Sequence, residues 1–416
     1  MSGAQTDVMP LPRLLTEQPP FWPKFTSPLR STAITARVGR VLGIAFTVCF
    51  ITGLLSHYQY APWGWLPIPG APVWGYRLTQ GVHVITGIAC IPLILVKLWS
   101  VFHKLFAWPP AKGPAHALER LSIAVLVSSS VLQLITGLFN VLQFYPWPWD
   151  FVKVHYWLSW IIIGSLALHI AVQLPAIREG LATPLRRRSS GPEAAESRAD
   201  AVTDDPMPSD AQAPGETGDE HAGGISRRGV LVAAGTGVGL VVLTTAGQVV
   251  PVLEPIALLA PRKPSTGPQK LPVNKTAQAA NVKAKAQSTE YRFTAVGPSG
   301  FELTLAELEA LPTEARTMPI ACVEGWSHTA HWTGPALLDL VKRAGGTVTS
   351  HVTVVSLEKG GYNRSHLTGG QLERALLATH LNGERLSLDH GYPLRLIAPD
   401  RAGVLQTKWL TRIEVA

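Results

Sequence analysis

The chain has 416 residues, 46% of them hydrophobic and only 15% charged, against roughly 25% charged in an ordinary soluble domain. That deficit argues against a purely cytosolic enzyme, in a chain long enough for two or three domains. The formal net charge of +8 comes with no concentrated basic patch, which speaks against a nucleic-acid partner, and three cysteines exclude a disulfide-built scaffold.

In chain order, residues 1–35 read as a cytoplasmic N-terminal tail. Four long apolar runs follow, Val38–Ser56, Leu78–Val101, Leu118–Leu142 and Val152–Leu174, each near or above the ~20 residues a helix needs to cross hydrocarbon. They predict a four-helix transmembrane bundle over 36–180, with Trp and Pro at its connections marking the membrane interface. Basic residues gather around the start of the first run (Arg30, Arg37, Arg40), from the end of the second to the start of the third (Lys104, Lys112, Arg120) and after the fourth (Arg178, Arg186). By the positive-inside rule both ends of the bundle face the cytoplasm. Residues 181–225 are acidic and poor in large apolar groups, so they read as a disordered linker that cannot offset its chain entropy by burial.

Arg227 and Arg228 then precede a mildly apolar stretch. Residues 226–252 read either as a twin-arginine signal that stays in the membrane as a fifth, anchoring helix, or as an ordinary stop-transfer helix. Either way, 253–416 lies outside the cytoplasmic membrane. The twin-arginine machinery as partner would carry this domain across already folded, which makes sense for a cofactor inserted beforehand. The domain itself reads as α+β. Strands are expected at Tyr291–Val296, His351–Leu357, Leu394–Ala398 and Ile413–Ala416, and helices at Thr304–Ala310, with a Thr304/Glu307 capping box, and Pro335–Ala344.

Cys49 and Cys90 fall inside the first two apolar runs, whereas Cys322 is the only cysteine of the exported part. A buried structural thiol is one reading. The other is a metal ligand, because a thiolate suits a soft or high-valent transition metal. With no second cysteine or histidine cluster beside it, such a metal needs a cofactor that brings its own donors.

The segments Ile320–Ser327, Trp332-Thr333-Gly334, Leu337, Leu338, Leu340, Gly361-Tyr362, Ser365, Leu381–Glu384, His390–Pro399 and Lys408-Trp409-Leu410 resemble, in order, those of the sulfite oxidase-like molybdopterin domain. The resemblance implies Cys322 as molybdenum ligand, joined by the two sulfurs of the pterin dithiolene. It implies Arg395 on the pterin phosphate, Gln406, Thr407 and Lys408 along the same cofactor, and Ser356 and Asn274 as further contacts. His390 stands where related reductases carry asparagine. Tyr362, Arg364 and Arg401 are candidates to orient an oxyanionic or sulfoxide substrate. The chain stops at Ala416, directly after the resembling segment, so it is more similar to single-domain periplasmic reductase subunits such as those of methionine-sulfoxide reductase than to longer sulfite oxidases.

Histidines inside membrane helices invite a functional reading. His155 and His169 are 14 positions apart, about 21 Å of rise and roughly 40° short of whole turns, so they share one helix face near opposite leaflets. His83 and His57 lie at the outer depth of His155. The layout resembles four-helix b-type cytochromes, with one or two haem b groups ligated by His83, His155, His169 or His57. The expected function is a membrane-bound molybdopterin-dependent oxidoreductase acting outside the cytoplasmic membrane. It exchanges electrons with a quinone pool through haem and reduces a sulfoxide- or N-oxide-type small molecule in preference to oxidising a sulfite-type one. The alternative is a membrane-anchored, non-catalytic pterin-binding or sensing module.

Overall fold

The computed structural model describes residues 30–63, 66, 72–109, 112–185 and 226–416. Most of the expected N-terminal tail and nearly all of the expected acidic linker lie outside the described residues. Five long helices come first: α1 (Thr32–Tyr60), α2 (Gly75–Leu105), α3 (Pro114–Leu142), α4 (Phe151–Ala182) and α5 (Arg227–Ala246). Among the described residues, these five are long and apolar enough to cross a membrane. Even the shortest, at 20 residues, spans about 30 Å at 1.5 Å per residue, the thickness of the hydrocarbon core.

Polar side chains cap the starts of α1, α4 and α5. The Ser31 hydroxyl accepts from Ile34 N (3.4 Å), an Asp150 oxygen from Val152 N (3.0 Å), and the Ser226 hydroxyl from Gly229 N (3.0 Å), relieving amides that a helix start leaves without partners. Arg37 of α1 closes the far end of α4 by donating to the carbonyls of Gly180 and Thr183, both at 3.0 Å, a favourable place for positive charge. The outward faces remain apolar and bare: Ile44, Leu95, Leu118, Trp157 and Leu168 are all exposed. Such a stripe has lipid as its natural neighbour.

The C-terminal part is built on a five-stranded sheet of β1 (Arg292–Val296), β2 (Phe301–Thr304), β5 (His351–Ser356), β6 (Arg364–Thr368) and β7 (Leu410–Val415). Their order is β2-β1-β7-β5-β6; β1 and β7 run parallel, the other pairs antiparallel. Phe293, Val352, Val354 and Ile413 from this sheet pack on Leu337, Leu340 and Val341 of a helix at Leu337–Arg343. Each side chain of that size stabilises by about 1.5–3 kcal/mol when buried. The expected capping box is present: the Thr304 hydroxyl accepts from Glu307 N (3.2 Å) and Glu307 accepts from Thr304 N (2.8 Å).

The hairpin of β3 (Glu314–Ala321) and β4 (Ser327–Gly334) escapes the sequence periodicity. Pro319 interrupts β3, and half-exposed residues break the alternation of both strands. Pairing of the two along eight registers, from Glu314↔Gly334 to Ala321↔Ser327, makes them strands all the same. The tip, residues 322–326, is held by Cys322 N donating to Trp326 O (2.8 Å) and Gly325 N to Cys322 O (3.1 Å).

Gly325 at this tip has φ +83°, and a Cβ added there would stand 2.6 Å from Val84 Cγ2 of α2. The tip is therefore pressed against the helical bundle. Gly325→Ala should cost roughly 2 kcal/mol through left-handed strain and overpacking. It should lower the thermal midpoint of the detergent-solubilised protein, and adding Val84→Ala should recover the packing part of that loss.

Candidate active site

Cys322 opens the tip, 2% exposed, with its thiol unpaired. Burial pushes its pKa well above the usual thiol range, and the nearby Glu324 carboxylate adds to this, while the Glu324 amide and Lys408 pull the other way. A thiol so protonated is inert on its own, and a bound metal would deprotonate it outright. Among the described residues, no group of three or more His, Cys, Asp or Glu side chains could hold a metal alone. Further donors must then come with the metal.

Behind the tip lie two buried cations, Arg395 (4% exposed) and Lys408 (9%). Among the described residues no carboxylate pairs with either. Arg395 donates from Nη1 to His390 O (3.2 Å), and its Nε has no partner. Lys408 Nζ donates to the carbonyls of Lys275 (2.7 Å) and Asp389 (2.8 Å). Burial, reinforced by Arg395, lowers the Lys408 ammonium to about 7, and burial lowers Arg395 to about 10. Two unpaired cations taken out of water are costly unless an anion joins them. The pocket therefore fits a phosphate-bearing cofactor, whose phosphate would meet the planar donor fork of Arg395.

The other expected contacts are mostly tied into the protein. The Ser356 hydroxyl donates to Lys408 O (2.7 Å) and accepts from Glu358 N (3.0 Å), which fixes the Lys408 backbone. Thr407 and Ser365 share a 2.7 Å hydroxyl contact, and Gln406 Nε2 donates to Arg401 O (3.2 Å), leaving its Oε1 without a partner. His390, fully buried, donates from Nε2 to Pro268 O (2.8 Å). The Asn274 carbonyl accepts from Gln143 Nε2 (2.8 Å) at the end of α3. Arg364 pairs with Glu414 at 3.2 Å on the exposed side of the sheet. Arg401 is buried and bonded to Gln371 Oε1 (2.8 Å) and His366 O. Arg401 Nε has no partner among the described residues. Tyr362, 42% exposed, meets Tyr60 of α1 edge-on, ring centres 6.1 Å apart.

The sequence reading missed how the tip meets the bundle. The carbonyl of Val323, next to Cys322, accepts from Gln80 Nε2 of α2 (2.9 Å) and Asn140 Nδ2 of α3 (3.2 Å). Gln143, in left-handed conformation at φ 55° as the C-cap of α3, donates to Glu324 and accepts from Arg262. Glu324 also accepts from Trp326 Nε1 (3.2 Å), and burial raises its pKa. In the sequence these amides look like ordinary polar residues near helix ends. The one available signal is that three of them, Gln80, Asn140 and Gln143, sit near the ends of α2 and α3 that share a side of the bundle.

Beneath Val323 opens a cavity of about 410 Å³, mostly apolar, whose walls include Phe46, Gly53, His57, His83, His155 and Val323. His83 and His155 stand across it with ring centres 6.2 Å apart and planes at 81°. His83 Nδ1 donates to Cys49 O (2.8 Å). Thr136 spends its own hydroxyl proton on Gln133 O (3.0 Å), so its contact with His155 Nδ1 (3.2 Å) is one in which the ring donates. Both rings are thereby held at Nδ1, and in the Nδ1–H tautomer Nε2 is the nitrogen left to a metal. His57 lines the same cavity, stacked on Tyr156 with centres 4.3 Å apart and bonded to the Tyr60 hydroxyl (2.8 Å). His169 is half-buried and lies outside these walls, with no ring partner among the described residues.

Residues 279–416 match the family described as the oxidoreductase molybdopterin-binding domain. The C-terminal region is a sulfite oxidase-like molybdopterin-binding oxidoreductase domain, and the chain joins it to a helical region of several apolar helices. It is similar to sulfite oxidase of Drosophila melanogaster, 32% identical over 27% of this chain and 25% of that protein. It is also similar to the uncharacterized oxidoreductase YuiH of Bacillus subtilis, 31% identical over 27% of this chain and 57% of that protein. A 63-residue stretch is 51% identical to the NADPH nitrate reductase of Mycosarcoma maydis, covering 14% of this chain and 6% of that protein. The chain thus spans well under two thirds of each of these relatives.

His390 gives this site a pH signature. Burial, then Arg395, lowers its pKa to about 4, below the ~6.5 of an unfolded histidine. Above pH 6.5 both states are neutral and the fold keeps its full stability. As pH falls from 6.5 to 4 the unfolded chain takes up a proton that the folded one refuses, and roughly 3 kcal/mol is lost. Unfolding midpoints of the cofactor-free protein across that range should fall accordingly, and His390→Asn should flatten the fall.

Proposed function

We propose that this chain is a membrane-bound molybdenum-cofactor oxidoreductase whose site faces away from the cytoplasm and exchanges electrons with a quinone pool through a haem b held by His83 and His155. One observation carries the reading. The peptide beside Cys322 forms part of the wall of the cavity that His83 and His155 line, so the cysteine ligand and the histidine pair are neighbours across one residue. His83 and His155, their ring centres 6.2 Å apart across the cavity, would hold the haem iron between them, and the iron would supply one-electron transfer. The export reading draws support from Arg227 and Arg228. They occupy the first turn of α5, where positive charge opposes the helix dipole, so helix stability does not account for them. The acidic segment 181–225 would then be the cytoplasmic linker.

Within the site, bound molybdenum supplies two-electron oxygen-atom chemistry. Cys322 would hold it through sulfur, and Arg395 and Lys408 would neutralise the cofactor phosphate. Ser356 fixes the backbone that carries Lys408, and Trp332, fully buried under Arg395 with the guanidinium 5.5 Å from its ring centre, keeps water from the cationic pocket. Asn274, Gln406, Thr407 and His390 would border the same cofactor. The substrate reading is a sulfoxide or N-oxide in preference to sulfite, with Arg364 and Arg401, whose Nε has no partner among the described residues, as candidates to orient it. Tyr362 remains as a neutral donor at the edge.

Two sets of variants test this. His83→Ala and His155→Ala should each abolish the reduced-haem absorbance of the purified protein, while His169→Ala keeps it; retention by both of the first two would overturn the haem assignment. Cys322→Ser should abolish dye-linked sulfoxide reduction yet leave the haem spectrum intact. Lys408→Met should lower molybdenum content about tenfold or more, as expected when a charged hydrogen bond worth ~1.5–3 kcal/mol is lost. Wild-type protein that turns over sulfite and no sulfoxide or N-oxide would reverse the substrate reading.

A further inference from the structure

Tyr76 lies in the first turn of α2, on the helical bundle, yet it is buried by the other half of the chain. Its side chain is 3% exposed and packs with Ala321, the residue before Cys322, and Ala402, the residue after Arg401; Tyr60, Val323 and Val404 complete the enclosure. The ring is within electrostatic reach of the Cys322 thiol. Among the described residues its hydroxyl has no hydrogen-bond partner. Other tyrosines behave otherwise: Tyr58 donates to Leu66 O (2.8 Å), Tyr60 meets His57 (2.8 Å), Tyr145 donates to Asn140 Oδ1 (2.8 Å), and Tyr291 donates to Leu410 O (2.6 Å). A buried tyrosine hydroxyl ordinarily finds an acceptor. Here the described residues offer none, at a point close to the Cys322 thiol.

We propose that Tyr76 hydrogen-bonds the molybdenum cofactor at Cys322, so that the helical bundle contributes a direct contact to a site otherwise built by the C-terminal domain. The hydroxyl donates, and an acceptor atom of the bound cofactor receives. The inference rests on the molybdenum reading given above and adds a consequence to it: loading the cofactor fastens the two halves of the chain together, since a group from each grips the same ligand. Gln80 and Asn140, which hold Val323, keep Tyr76 and Cys322 in register from the same side.

The test uses the full-length protein in detergent, prepared from a host that makes molybdopterin and, in parallel, from one that does not. Two quantities are read: the rate at which molybdenum is lost on mild heating, and the difference in thermal midpoint between the loaded and cofactor-free forms. Tyr76→Phe keeps the ring and removes only the hydroxyl. It should release molybdenum about five to ten times faster than wild type, the effect of one neutral hydrogen bond, and narrow the loaded-minus-empty difference. Because that difference is taken within one variant, any general loosening of the fold cancels. Tyr58→Phe, which removes a hydroxyl already satisfied by a backbone carbonyl, should leave both quantities as in wild type. Equal molybdenum retention and an unchanged difference for Tyr76→Phe would overturn the proposal and assign the hydroxyl to a buried water. Wild-type protein that folds but never carries molybdenum would overturn the underlying reading and this proposal with it.

Discussion

One backbone carbonyl ties the molecule together. Val323 O is gripped from two helices, by Gln80 of α2 and Asn140 of α3, and it belongs to the peptide that follows Cys322. A buried carbonyl with two amide donors is fully satisfied, whereas the same carbonyl pulled away from the bundle would leave three polar groups to be rehydrated or stranded. The left-handed Gly325, which admits Val84 where any Cβ would collide, exists to let the hairpin tip come this close. Gln143 then reaches Glu324 and Asn274 from the same side. The thiol, the cavity and the histidine pair hold their relative positions because this junction does.

The C-terminal domain works on the opposite electrostatic principle, an unsatisfied one. Among the described residues no carboxylate pairs with buried Arg395 or Lys408, and the lowering of both pKa values expresses the cost of holding positive charge in a dry pocket. A structure that stores such a cost at one place, while pairing Arg374 with Asp400 and Arg385 with Glu309 elsewhere, is shaped for an anion. His390, neutral and tied to Pro268 O, adds no third charge there. A neutral ring spends its one N–H on the protein and leaves the cationic pocket to the arginine and lysine.

Much of this was legible in the chain. Apolar runs long enough for hydrocarbon announce the first four helices, and Thr304 with Glu307 announces a capped helix start, because both signals are local. Cys322 stands out by chemistry alone. The β3–β4 hairpin that carries it does not, since Pro319 and the half-exposed alternation of Ser327–Gly334 gain strand character only from each other. Nor are long-range partners readable: Arg364 looks free in the sequence but meets Glu414 across β5, and Tyr76 looks like an interfacial aromatic until Ala321 and Ala402 close over it. Among the four candidate histidines, depth along the helices already sets His83 and His57 level with His155. The folded bundle brings the His83 and His155 rings to 6.2 Å, a contact between neighbouring helices that spacing along one helix does not reveal.

The central claim is that a single polypeptide joins a haem-bearing bundle to a molybdenum site. The most direct measurement is the number of molybdenum and iron atoms per chain, counted together by mass spectrometry on detergent-purified protein from a host that makes molybdopterin. The account predicts one molybdenum with one iron. Molybdenum without iron would remove the haem and leave the bundle as an anchor, and folded protein without molybdenum would contradict the account at its root.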